Sequence, residues 1–304
     1  MSSSVAATGP VAILANPDAG RGRHRAEIPA ALDLLRATGR DVTMLQASSI
    51  NEALFACHDA VAGGASALVA IGGDGTVNLA LQAVAGTGVG FGAIPAGTGN
   101  DFVREIGLPV DVVKAAGVIA RALESGHRRT VDLAHMVPAD GPERWFGAVL
   151  GAGFDSIVNE RANRMRFPRG PRRYDVAIVA ELLRLRPRRY VVRLDGEERS
   201  LDAVLVAVGN TPSYGGGMRI CPGAVAADGL LDLVIVGPIN RSTFVRIKPR
   251  VYSGTHIDHP AVMSFRAKTV EIEAEGIVAY VDGERASALP VTVTAVAGAL
   301  SLLG

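Results

Sequence analysis

The chain has 304 residues, a formal net charge of +1 and a hydrophobic content of 48%. That length allows one large or two moderate domains with a real core, and the near-neutral charge excludes a molecule that binds nucleic acid by overall electrostatics. No stretch reaches the roughly 18 apolar residues that span a bilayer, and Met1–Pro10 lacks the basic start of a signal peptide, so a cytoplasmic protein is expected.

Up to about Arg129 apolar runs alternate with amphipathic ones. Val11–Asn16, Val42–Leu45, Leu68–Ile71 and Phe91–Ile94 are predicted as short buried strands, and His24–Ala37, Ile50–Ala62, Thr76–Ala85 and Val110–Glu124 as helices. Such alternation implies a parallel sheet covered on both faces, with its ligand crevice at the carboxyl ends of the strands. Three of these strands run into glycine-rich turns. The first is Asn16-Pro17-Asp18-Ala19-Gly20-Arg21-Gly22-Arg23, the second Ile71-Gly72-Gly73-Asp74-Gly75-Thr76-Val77-Asn78, and the third Pro95-Ala96-Gly97-Thr98-Gly99-Asn100-Asp101-Phe102. Glycine lets a backbone approach a ligand closely, and the N–H groups of a following helix favour phosphate. Asp74 is the odd member, since a carboxylate repels phosphate. A bound Mg²⁺, or a hydrogen bond to a nucleotide hydroxyl, resolves the conflict.

After Thr130 strand-like runs dominate: Val131–Val137, Trp145–Leu150, Tyr190–Leu194, Asp202–Val208, Leu231–Val236, Thr269–Glu273, Val278–Val281 and Val291–Val296. Asp195-Gly196, Asp228-Gly229 and Asp282-Gly283 punctuate them as turns. Only Asp175–Leu185 and Arg241–Ser253 read as helical here. The expectation is an α/β N-terminal domain with a parallel sheet, followed by a mainly antiparallel β-sandwich C-terminal domain. Cys57 and Cys221 are far apart in sequence and read as reduced thiols rather than a metal cluster.

No GxxxxGK[ST] is present, the three lysines (Lys114, Lys248, Lys268) lie away from the glycine turns, and no GxGxxG follows the first strand. Neither a P-loop nor a Rossmann dinucleotide site is supported. The segments GGDGTVN and PAGTGNDF instead resemble the two strongest signatures of the diacylglycerol kinase catalytic-domain family, which includes soluble bacterial lipid kinases and sphingosine kinases. The resemblance runs from Asn16-Pro17 to Asp282-Gly283-Glu284. Through WFG, GFDSIVNERANRMR, SYGGG and ADGLLD it is most similar to the actinobacterial diacylglycerol kinases. GGDG alone is also carried by NAD kinases and phosphofructokinases.

The resemblance implies an ATP-dependent kinase that uses Mg²⁺ and phosphorylates the hydroxyl of diacylglycerol or a related lipid, giving phosphatidic acid. The alternatives kept are a sphingoid-base or ceramide kinase and an NAD kinase-like enzyme acting on a soluble substrate. It implies a nucleotide-binding domain over residues 5–129 plus about 290–304, the final strand returning to it, and a lipid-substrate domain over 130–289. ATP is expected between the two, with nucleotide contacts at Asn16, Pro17, Gly20, Gly73, Asp74, Gly75, Thr76, Asn78, Gly97, Thr98 and Asn100. Asp18-Ala19 replaces the hydroxyl residues usual in the first turn, so backbone contacts are expected there. Arg21 and Arg23 read equally as phosphate clamps or solvated side chains, and Gln46-Ala47-Ser48 gives no clear nucleotide contact.

Asp74 and Glu284 are the expected catalytic residues, Glu284 as the base that takes the proton when the lipid oxygen attacks the γ-phosphate. An Mg²⁺ is implied at Val225, Asp228 and Leu230, through one carboxylate and two carbonyls, with Asp132 linked to it through water. A plain Asp228-Gly229 turn is the other reading, and a second, nucleotide-bound Mg²⁺ is expected near Asp74. Ten arginines lie between Arg161 and Arg189, interleaved with Met165, Phe167, Tyr174, Leu182, Leu183 and Leu185. This segment reads as a surface for anionic membranes, against the alternative of a solvated arginine-rich face. The expected partners are thus a lipid substrate at the inner face of the membrane and the anionic membrane itself, with no nucleic acid, and a homodimer is left open.

Overall fold

The structure is a computed structural model that describes residues 9–16, 18–165, 167 and 172–304. It divides into two compact units: the described residues up to Leu133 with Ala226–Asp228 and Val296–Gly304, and Ala134–Val225 with Gly229–Ala295.

The first unit is α/β. In chain order its elements are β1 (Val11–Ala15), α1 (Ile28–Arg36), β2 (Val42–Met44), α2 (Ile50–Ala62), β3 (Ala67–Gly72), α3 (Asp74–Val84), β4 (Gly90–Pro95), the short α4 (Asp101–Glu105) and α5 (Val112–Ser125). The strands pair in parallel in the order β2-β1-β3-β4. β3 and β4 are buried at every residue, which is why they read as unbroken apolar runs rather than alternating ones. Leu35 of α1 and Ile119 of α5 join Val69 and Ile71 of β3 in one core. Helix starts follow ordinary capping chemistry: Ser49 accepts from the Glu52 N–H at 3.2 Å, and Asp111 from the Lys114 N–H at 2.8 Å. The predicted helix from His24 begins only at Ile28, because a 3₁₀ turn over Ala19–Gly22 and a further turn precede it.

The remaining elements are β5 (Arg129–Pro138), β6 (Arg144–Phe146), β7 (Val149–Gly153), α6 (Phe154–Arg164), α7 (Arg172–Leu182), β8 (Arg188–Leu194), β9 (Glu197–Ala203), β10 (Leu205–Gly209), β11 (Leu231–Val236), α8 (Arg241–Ser253), β12 (Val262–Ala267), β13 (Thr269–Glu273), β14 (Val278–Val281), β15 (Glu284–Ala288) and β16 (Val291–Leu302). The second unit is a sandwich of antiparallel strands. One sheet runs β12-β11-β10-β7-β14-β15. The other pairs β9-β8-β13 with the start of β16, and β5 with β6. Their inner faces share one core, with Leu150, Val206 and Leu233 from the first meeting Tyr190, Val270 and Val293 from the second. β16 then ends in the first unit, where Ser301 and Leu302 pair in parallel with Gly90 and Phe91 of β4.

Three further sequence expectations need correction. The predicted strand Trp145–Leu150 is two strands, broken at Gly147-Ala148, whose N–H groups leave the ladder and donate to the Asp282 carboxylate. The predicted strand Asp202–Val208 is also two, β9 and β10, which lie in different sheets. Phe154–Arg164 is a helix that the residue pattern did not announce, since its sequence is largely polar and a glycine, Gly153, caps its start.

Candidate active site

The three glycine turns sit at the carboxyl ends of β1, β3 and β4, strands that are neighbours in the sheet. Their backbones touch. A Cβ on Gly97 would stand 2.4 Å from the Gly73 Cα, and one on Gly20 would stand 2.5 Å from the Ala96 carbonyl oxygen. Glycine is therefore demanded here by loop-on-loop packing, before any ligand is considered. Gly75 and Thr98 are exposed on the packed loops, Gly73, Thr76 and Gly97 are partly exposed, and Asn78 is buried in α3. Asn16 is exposed, with its side-chain oxygen accepting from the Asp18 N–H at 3.1 Å, and Gly20 is partly exposed. Pro17 lies outside the described residues.

Asp74 holds the second and third turns together. Its carboxylate accepts from the Asn100 N–H at 2.8 Å and the Asp101 N–H at 3.0 Å. Burial holds this carboxyl above the ordinary aspartate range. The N–H bond from Asn100 opposes that, and the neighbouring Asp101 charge adds to it. The puzzle of a carboxylate in an anion-binding turn thus has a local answer: it is tied to two backbone donors. Asn100 starts α4 in the left-handed conformation at φ 57°. Its side-chain nitrogen donates to the Gly97 carbonyl at 3.2 Å, while its oxygen is buried with no hydrogen-bond partner among the described residues. That orphaned acceptor fits a ligand carrying a hydroxyl or amino donor, as a nucleotide does.

Glu284 lies in the second unit, exposed at the start of β15. The hairpin that carries it turns at Asp282 and Gly283, both with positive φ (48° and 86°), the geometry of a type I′ turn. Asp282 is clamped, its carboxylate accepting from the N–H groups of Gly147, Ala148 and Val149 at 3.1, 2.9 and 3.1 Å. Next to Glu284, the Arg285 guanidinium donates to Glu160 at 2.7 Å, and the Tyr280 hydroxyl donates to the same oxygen at 2.8 Å. The hairpin is thus pinned from two sides, with Glu284 left exposed.

Asp132 is buried and accepts from the Gly298 N–H at 2.8 Å, while its own N–H donates to the Ala226 carbonyl at 2.9 Å. The chain therefore brings Asp132 beside the loop that holds Asp228. Val225 and Asp228 are exposed and Leu230 is partly exposed. Among the described residues no three His, Cys, Asp or Glu side chains cluster to hold a metal. The carboxylate of Asp228 and the backbone carbonyls of residues 225 and 230 are hard oxygens of the kind that would suit Mg²⁺.

The arginine segment is less bare than the sequence suggested. Arg161 pairs with Glu181, Arg164 with Glu160 at 3.1 Å, and Arg189 with Asp202 at 3.8 Å. Arg166 and Arg169 lie outside the described residues. Three features escaped the residue reading. One is the Asp282 clamp. Another is Asp101, a second buried carboxylate beside Asp74, paired with Arg104 at 3.4 Å. The third is Asp155, which accepts from the Tyr214 hydroxyl at 3.0 Å, and which burial holds above the usual aspartate range. Asp101, Asp155 and Asp282 all stood within segments already quoted, but nothing in the local pattern gave the partners that each carboxylate holds.

Known proteins agree in kind with this arrangement. Residues 10–136 match the family described as the diacylglycerol kinase catalytic domain, and residues 148–304 the one described as the YegS C-terminal NAD kinase beta sandwich-like domain. A diacylglycerol kinase of Mycobacterium tuberculosis is 44% identical over 97% of this chain and 95% of its own. One of Staphylococcus aureus is 28% identical over 91% of this chain and 87% of its own. Among solved structures, a Bacillus anthracis protein assigned as a diacylglycerol kinase superposes with a TM-score of 0.79 at 24% identity, covering 100% of this chain and 97% of that one. An Archaeoglobus fulgidus NAD kinase in complex with ATP superposes with a TM-score of 0.57 at 13% identity, covering 97% and 93%.

Proposed function

Because the chain belongs to the diacylglycerol kinase family, we propose that it transfers the γ-phosphoryl group of ATP to the hydroxyl of diacylglycerol or a closely related lipid. The observation that carries the reading is the packed set of glycine turns on β1, β3 and β4, with exposed Gly75 and Thr98 and the orphaned Asn100 acceptor. Such turns offer backbone N–H groups to the nucleotide phosphates and a polar side chain to its donors. Asn16, Gly20, Gly73, Gly75, Thr76, Asn78, Gly97, Thr98 and Asn100 are the nucleotide-contact set in this proposal, with Asp74 fixing the shape of the turns.

In the reaction the lipid oxygen forms a bond to the γ-phosphorus, the bond between that phosphorus and the β–γ bridging oxygen breaks, and ADP leaves. The hydroxyl proton passes to Glu284, whose exposure on a pinned hairpin suits a base that meets substrate. Asp282 is a positioning residue. Val225, Asp228, Leu230 and Asp132 are the residues that would hold Mg²⁺, a hard cation that neutralises phosphate charge when bound. Among the described residues no helix is long and apolar enough to cross a membrane, so the lipid is met at a surface. The basic stretch from Arg161 to Arg189 is proposed to dock there.

The likeness to an NAD kinase fold supports one rival, a kinase of a soluble nucleotide. Labelled γ-phosphate from ATP, offered to diacylglycerol, ceramide, a sphingoid base and NAD side by side, separates them. The proposal requires label in phosphatidic acid; label in NAD alone overturns it.

A further inference from the structure

A groove of about 430 Å³ opens in the second unit, lined by none of the nucleotide, metal or base residues named above and edged by the end of the basic Arg161–Arg189 stretch. Phe154 and Ile157 of α6, Leu185 and Val204 give it an apolar side. Glu181, Arg184, Arg186 and Arg188 give it a charged one. The carboxylate is already spent: Glu181 is largely buried and pairs with Arg161. Arg184, Arg186 and Arg188 have no ion-pair partner among the described residues, and Arg184 and Arg186 are exposed. The groove is therefore a concave apolar wall beside three uncompensated cations.

Its rim continues the same chemistry. Val179 on α7 and Leu183 just beyond it are 57% and 61% exposed, one helical turn apart on the flank that leads to Leu185. α8 approaches here as well, with its Phe244 ring 4.4 Å from that of Phe154 and the Arg241 guanidinium donating to the Leu183 carbonyl. α8 also carries Arg246, Lys248 and Arg250 and no acidic residue.

We propose that this groove seats one anionic phospholipid, its phosphate among Arg184, Arg186 and Arg188 and an acyl chain along Phe154, Ile157, Leu185 and Val204. A free phosphate ion leaves the apolar wall unused. A neutral diacylglycerol leaves three cations unmatched. Only an anionic amphiphile answers both halves. The inference rests on the lipid-kinase reading for placing the enzyme at a lipid surface, and it assigns that surface a binding site distinct from the reacting hydroxyl.

The test is titration of the full chain, without ATP or acceptor, with dihexanoyl phosphatidylglycerol below its micelle concentration. Dihexanoyl phosphatidylcholine and inorganic phosphate are run as separate arms. The wild type should show saturable binding of phosphatidylglycerol and none of the other two at the same concentrations. Replacing Arg184 and Arg186 with Gln should weaken it about 25-fold, at about fivefold for each charge removed, and adding Arg188→Gln about fivefold more. Arg36→Gln with Arg121→Gln, exposed on α1 and α5 of the first unit, should leave it unchanged. No saturation by phosphatidylglycerol overturns the proposal, as do equal binding of phosphate or phosphatidylcholine, or retention within threefold in a folded Arg184/Arg186 variant. Binding is read apart from phosphotransfer, so a chain that fails the labelled-ATP assay still gives a clear answer here, and the reverse holds.

Discussion

At the scale of single residues, two aspartates explain how the two halves of the chemistry are held. Asp74 spends its carboxylate on the Asn100 and Asp101 N–H groups, and burial raises its pKa. The sign follows from linkage: a raised folded pKa gives a stability contribution that is fully present below the unfolded value and lost as pH rises through the folded one. At neutral pH the ionised carboxylate is thus carried at a cost in stability. Asp74→Asn removes that cost but leaves one acceptor oxygen for two donors, so the two effects oppose. Stability should stay within about 1 kcal/mol of wild type, while turnover falls because the turns that Asp74 shapes lose one of their two ties. A thermal melt beside steady-state kinetics checks both, and near wild-type turnover would remove Asp74 from the mechanism. Asp282 behaves differently, because Asp282→Ala strips three N–H groups of their acceptor at once. The expected loss is about 2–3 kcal/mol in urea unfolding, with a fall in kcat as the Glu284 hairpin loosens. Undiminished stability would show that water replaces the clamp.

At the scale of elements, the glycine turns are the part of the site most legible in sequence. A strand ending in glycines and running into a helix is a local pattern, and all three turns appear where β1, β3 and β4 end. The Asp195-Gly196 and Asp282-Gly283 hairpins were legible for the same reason, since both aspartates adopt positive φ, 49° and 48°. What stayed hidden depends on contacts distant in sequence. The break between β6 and β7 is made by Asp282, 135 residues from Gly147. Asp74 meets Asn100 across 26 residues, and α6 owes its helix to packing of Phe154, Val158 and Ala162 with Ala177 and Phe244 rather than to its own pattern. The loop packing itself is testable. Gly97→Ala pushes a methyl to 2.4 Å from the Gly73 Cα, so the turns must part. ATP affinity should fall at least tenfold and stability by about 1–3 kcal/mol. Gly117→Ala in α5 meets only the Arg121 side chain at 3.6 Å and should leave ATP affinity unchanged. Equal affinities for the two variants, read by equilibrium ATP binding, would show that the turns tolerate separation.

At the scale of the whole molecule, the first unit supplies turns suited to a nucleotide and the second carries an exposed carboxylate and an amphipathic groove. Family membership covers nearly the entire chain, which fits a reaction drawing on residues as far apart in sequence as Asn16 and Glu284. The division of labour predicts that nucleotide binding and proton removal separate by mutation. Glu284→Gln keeps the side chain's shape and removes its basicity, and the Asp282 and Arg285 anchors that pin the hairpin are untouched. The measurement that tests the account most directly is therefore the steady-state transfer of γ-phosphate from ATP to diacylglycerol by Glu284→Gln, with a thermal melt alongside. The account predicts an unchanged melt, a KM for ATP and lipid close to wild type, and a kcat lower by about 10²–10⁴-fold. A folded variant whose kcat stays within a few-fold of wild type would contradict it.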